Sequence, residues 1–183
     1  LKTWWFPVVG RFPYKGFFDF AKARKTGEQL AREGFDVRVG PSSAFSTLGW
    51  FNDPLVSTTT RLDSVSLANT VIHEITHSTF FAKGQVSFNE TFASFVGGRG
   101  AIAFFESTGD STNAARARAE WRDDLRLGVF WGSLAAELQG AFDSLPPDAR
   151  EQRLAARARI FEAAHRRLVD SIAPTLETLP SGW

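Results

Sequence analysis

The chain has 183 residues, 43% of them hydrophobic, and a formal net charge of +1. That length is enough to bury a core in one compact domain, and the near-neutral balance excludes bulk charge as the basis for binding nucleic acid or an anionic membrane. Cysteine is absent, which excludes a disulfide framework and any thiolate metal site, so a metal would have to be held by imidazole and carboxylate groups.

Methionine is also absent, position 1 included. The chain is therefore expected to be a processed or partial piece of a longer product, with any signal peptide lost along with the N-terminus. No apolar run approaches the roughly 18–20 residues that a spanning helix needs.

Residues 1–16 are aromatic and broken by Pro7, Pro13 and Gly16, which predicts an extended segment packed on something larger. Helix formers dominate residues 19–33, and Gly34 ends that helix. Phe35-Asp36-Val37-Arg38-Val39 alternates apolar and polar, the pattern of a half-buried strand. A second extended stretch is expected over 44–48, ending at Gly49, followed by a loop over 50–54 and a Ser/Thr run at 57–60.

The remainder reads as helix. Asp63 and Ser64 suit an N-cap for a helix running to about residue 81, and Gly84 supplies a stop in the turn at 82–85. A second helix is expected over 87–106, with Gly97, Gly98 and Gly100 read as small residues that permit close helix packing. Two long helices follow, over about 112–142 and 148–172, split by Leu145-Pro146-Pro147. The expected class is α+β: a small strand-bearing N-terminal part leading into a helical bundle. Within one domain over 1–183, an α/β part is expected at 1–62, a helical hairpin at 63–106 and long helices at 107–183.

His73-Glu74-Ile75-Thr76-His77 carries the chemistry. Histidines at i and i+4 project from one face of a helix, one turn apart, so both imidazoles can reach one zinc ion. Glu74, offset by one residue, stands where it can act as general base on a water at the metal and then pass the proton to a leaving amine. Only three histidines occur in the chain, and two fall in this motif. The competing reading is a helix with two satisfied histidines and a surface Glu.

A catalytic zinc ordinarily takes three protein ligands. The positions after His77 that would extend the motif with a glycine and a third histidine hold Phe80 and Lys83. If the two helices fold back across the turn, Glu90 lies about one turn after the bend and His77 about one turn before it, near the same level. Ser87-Phe88-Asn89-Glu90 is equally a capping box, in which Glu90 would reach back to the Ser87 amide. Local sequence leaves both readings open.

His73–His77 followed by Phe88-Asn89-Glu90-Thr91-Phe92-Ala93 resembles the gluzincin aminopeptidases, which pair HExxH with a downstream NExxA-like segment. Phe12-Pro13-Tyr14-Lys15-Gly16, Ser46-Thr47-Leu48-Gly49-Trp50 and the stretch after Phe88 are similar to those of a family of bacterial, envelope-associated zinc aminopeptidases. The likeness covers residues 4–100 well and the later helices only in general character. It implies a zincin-like helical bundle with HExxH on a central helix, and one zinc ion held by His73, His77 and Glu90. It also implies Glu74 as catalytic acid/base and a peptide as substrate. The family's longer N-terminal region, with its export or lipoprotein signal, implies a cell-envelope or periplasmic location and peripheral membrane association through the missing segment. A cytoplasmic location is the alternative. Only 12 residues separate His77 from Glu90, shorter than in better-known gluzincins, so their geometry does not transfer.

Other residues carry weaker signals. Tyr14, the only tyrosine, is a candidate oxyanion donor, against simple packing beside Pro13. Gly49, Asn52 and Asp53 are candidates for binding a substrate α-amine, as a Gly-rich segment with an acid does in gluzincin aminopeptidases, against a turn aspartate before Pro54. His165 and the arginines of the last helix read as an ion-paired surface. Asn69, Asp63 and Asp170 are candidates for orienting a ligand histidine. Two other functions remain open: an endopeptidase or other amidohydrolase on the same site, and a non-catalytic interaction domain with a structural metal.

Overall fold

The computed structural model describes residues 2–6, 10–12, 14–41 and 59–178. The stretch expected as a strand over 44–48, and Gly49, Asn52 and Asp53, lie outside the described residues. The chain divides into two compact units, Leu1–Phe104 and Phe105–Trp183.

In the first unit the aromatic N-terminal segment forms a hairpin. Strand β1 (Trp4–Phe6) pairs antiparallel with β2 (Gly10–Phe12), with Trp4 opposite Phe12 and Phe6 opposite Gly10. Helix α1 (Phe20–Arg32) starts where the Asp19 carboxylate accepts from the Lys22 amide at 3.0 Å, satisfying one of the free N–H groups of the first turn.

Residues 35–39 are a correction to the sequence reading, because they form no strand. Alternation makes a strand only where a neighbour can complete the hydrogen-bond ladder, and among the described residues only β1 and β2 pair. The valines pack on α1 instead. A Cβ at Gly27 would come within 2.7 Å of Val39 Cγ2 and 3.4 Å of Val37 Cγ1, which accounts for a glycine inside that helix. Among the described residues the architecture is therefore mainly helical, with one two-stranded hairpin in the N-terminal part.

Helix α2 (Ser64–Thr79) is capped by Asp63, whose Oδ1 accepts from the Val65 and Ser66 amides at 3.0 and 3.1 Å. It stops at Thr79 because Phe80 turns extended, at φ −142°. In the turn that follows, the Gln85 amide donates to the Ala82 carbonyl at 3.1 Å. Gly84 takes φ +77°, a left-handed conformation that an L side chain rarely adopts. Helix α3 (Val86–Ser107) then runs unbroken through Gly97, Gly98 and Gly100.

Glycine in mid-helix costs backbone entropy, and here close approach accounts for it. A Cβ at Gly97 would collide with Asn69 of α2, and one at Gly100 would lie 2.9 Å from Ile72 Cγ2. Ala93, with no exposed surface, continues that face of α3.

The second unit contains α4 (Ser111–Asp143), capped by Asp110 on the Asn113 amide at 3.0 Å, and α5 (Arg150–Arg167). Phe130, Leu134 and Ala164 form its buried core, with Leu138, Ile160, Leu168 and Ile172 around them. Arg153 reaches back from α5 to the carbonyls of Phe142, in the last turn of α4, and Leu145, just past it, both at 2.9 Å. Beyond α5 the chain winds through a π turn (Leu168–Ile172) and a 3-10 turn (Ala173–Thr175). Pro174 has no N–H to continue an α-helix there. Among the described residues, no helix is long and apolar enough to cross a membrane.

Candidate metal centre

The two motif histidines lie on one face of α2, as their spacing requires, with ring centroids 4.8 Å apart and planes near perpendicular. Their Nε2 atoms face each other at 3.1 Å. Nitrogens in that arrangement either share a proton or, as Nδ1–H tautomers, aim both lone pairs at one cation.

Glu90 enters from α3. Its Oε2 lies 3.6 Å from His73 Nε2 and 3.7 Å from His77 Nε2. The capping-box alternative is not what forms: Ser87 stands inside the first turn of α3, and its carbonyl accepts from Thr91 Oγ1 at 2.8 Å. Among the described residues, His73, His77 and Glu90 form a group able to hold a metal ion, with their ligand atoms all within 4.8 Å of one another.

The donor atoms also fit the ion by size. A triangle with sides of 3.1, 3.6 and 3.7 Å has its centre about 2.0 Å from each corner. Zn–N and Zn–O bonds are about 2.0–2.2 Å long. Two imidazoles and a carboxylate also make a donor set suited to zinc, with no thiolate required.

Electrostatics favours the same use. Burial, and then the neighbouring His77, push the His73 imidazole below its ordinary range, while Glu90 opposes the shift. His73 is thereby held in the neutral form that binds a metal. His77 is buried and His73 and Glu90 are half-buried.

Tyr14 belongs to this site. Burial, together with the nearby carboxylates of Glu90 and Glu74, pushes its phenol pKa up to about 12. The residue as a whole is 56% exposed. Glu74, half-buried on α2 beside His73, is close enough for its charge to act on the same phenol.

The other sequence candidates fall elsewhere. Asp63 is the α2 cap, and the Asn69 side-chain oxygen faces Gly97. Asp170 and His165 are exposed in the second unit. The α5 arginines are engaged locally: Arg166 with Glu162 at 2.6 Å and Arg167 with Glu137 at 2.9 Å.

Sequence reasoning passed over the role of Asn89. It is 3% exposed, and its amide bonds both backbone groups of Ala82 across the turn. The available signal was an Asn beside the expected ligand, just past a glycine turn.

The chain belongs to the family described as "Putative aminopeptidase", whose model matches residues 1–180. No curated protein and no solved structure matches the chain.

Proposed function

We propose that this chain is a zinc-dependent aminopeptidase in which His73, His77 and Glu90 hold the ion and Glu74 moves the protons. The observation that carries the reading is the triangle of two imidazole nitrogens and one carboxylate oxygen sized for zinc, and the family supports the peptidase class. A zinc ion at that point would polarise the scissile carbonyl and make a water nucleophilic near neutral pH.

Glu74 takes one proton from the attacking water as its oxygen bonds to the carbonyl carbon. It then delivers that proton to the amine nitrogen as the C–N bond breaks. Tyr14, protonated throughout the working range, has an O–H to donate to the oxyanion of the tetrahedral intermediate. Asp53, with Gly49 and Asn52, is proposed to bind the substrate's free α-amine by charge pairing. A cell-envelope location belongs to the same proposal and is open to fractionation.

The test is a pair of peptides differing only in N-terminal acetylation, assayed with zinc-loaded and chelator-treated protein. The expected result is cleavage of the free-amine peptide alone, abolished by chelation. Equal cleavage of both would make the protein an endopeptidase. Turnover that survives removal of the metal would overturn the mechanism.

A further inference from the structure

Glu90, Ala93, Gly97 and Gly100 recur at spacings of three and four and so share one face of α3. Contacts at three levels turn that face toward α2. Glu90 meets His73 and His77, Gly97 meets Asn69 and His73, and Gly100 meets Ile72.

The middle contact is the tightest. A Cβ on Gly97 would fall on Asn69 Oδ1, 2.9 Å from the Asn69 carbonyl oxygen and 3.3 Å from His73 Cβ. A side-chain amide can swing aside, but a backbone oxygen inside a helix cannot. Restoring ordinary contact would push α3 away from α2 by about half an ångström. Metal sites hold their bond lengths to within about 0.2 Å. Glu90 stands two turns along the same face, on the same continuous helix, so a shift at Gly97 carries over to the carboxylate.

We propose that Gly97 is a positioning residue for the metal site: its missing side chain sets the distance at which Glu90 reaches both imidazoles. The inference rests on the ligand set proposed above. It separates Gly97 from an ordinary packing glycine, whose replacement would change stability and leave metal affinity alone.

The test uses the full chain. It measures the zinc dissociation constant by competition with a chelating indicator, the absorption spectrum with Co²⁺, and the thermal melt of the metal-free protein. Gly97→Ala is expected to weaken zinc binding roughly 10- to 100-fold and to alter the Co²⁺ spectrum, with helix content retained and the metal-free protein still melting cooperatively. Gly128→Ala, on α4 with nothing near its Cβ, is expected to bind zinc as the parent does.

Should Gly97→Ala fail to fold, Gly100→Ala decides, since the three atoms nearest its Cβ all belong to the Ile72 side chain. That variant is expected to weaken zinc binding, and adding Ile72→Ala is expected to restore it. Parental zinc affinity in Gly97→Ala, or in Gly100→Ala where that variant decides, would overturn the inference and leave the ligand set standing. A parent protein that takes up no zinc would overturn both.

Discussion

The side-chain amide of Asn89 closes two hydrogen bonds on the backbone of Ala82, accepting from its N–H at 2.9 Å and donating to its carbonyl at 2.8 Å. The pairing spans the turn between α2 and α3 and is buried, so it ties the start of α3 to the chain leaving α2. Glu90 is the next residue, and its level relative to His77 depends on that tie. Asn89→Ala would leave the Ala82 N–H without this partner and its carbonyl with the Gln85 amide alone, in a part-buried turn. The expected loss is about 1–3 kcal/mol of stability, measured by denaturant unfolding. A change below about 0.5 kcal/mol, the size of an ordinary surface substitution, would show that the pairing does not hold the turn.

Tyr14 is the only tyrosine in the chain, so its tyrosinate absorbance reports on the site alone. In the metal-free protein the titration midpoint is expected near 12, against about 10 in the denatured chain. The raised value means that the stability Tyr14 lends is complete below pH 10 and is lost as pH rises toward 12. Zinc on Glu90 adds a positive charge beside the phenol, so loading the metal should lower the midpoint. A native midpoint near 10, unmoved by zinc, would place the phenol away from Glu90. Tyr14→Phe is expected to lower kcat by about 100-fold with little change in zinc affinity.

In the second unit Asp123 holds the chain at Glu177 and Thr178. Its two oxygens accept from the Glu177 amide at 3.0 and 2.8 Å and from the Thr178 amide and hydroxyl at 2.8 Å. Burial pushes the Asp123 carboxyl up, but these hydrogen bonds outweigh it and leave the carboxyl below its ordinary range. A depressed carboxylate stabilises the fold above its ordinary value, and that contribution fades as pH falls through the lowered one. Asp123→Asn should mimic the acid state at neutral pH by setting an NH₂ group against backbone N–H donors. The expected outcome is a loss of about 3 kcal/mol and faster hydrogen exchange at Glu177 and Thr178. Unchanged exchange there would contradict the clamp.

What the sequence made legible follows the range of the forces involved. Asp19 and Asp63 act within a turn of themselves, so the starts of α1 and α2 could be read locally. The i, i+4 spacing of His73 and His77 is likewise a property of one helix. Glu90 needed one longer step, the fold-back across Gly84, and that step brought it to the imidazoles. Residues 35–39 were misread because alternation records a two-faced environment without saying whether a partner strand supplies it. The role of Asn89 escaped the sequence for a related reason, since it depends on a contact to a distant backbone that no local pattern encodes.

Everything proposed for this site rests on zinc at His73, His77 and Glu90 working with Glu74 to hydrolyse peptides. The most direct test measures zinc content and peptide turnover together in Glu74→Gln, which removes the base and leaves the proposed ligands. One zinc per chain with parental affinity is expected, with turnover reduced by about 100-fold or more. Turnover at the parental rate with zinc bound would contradict it.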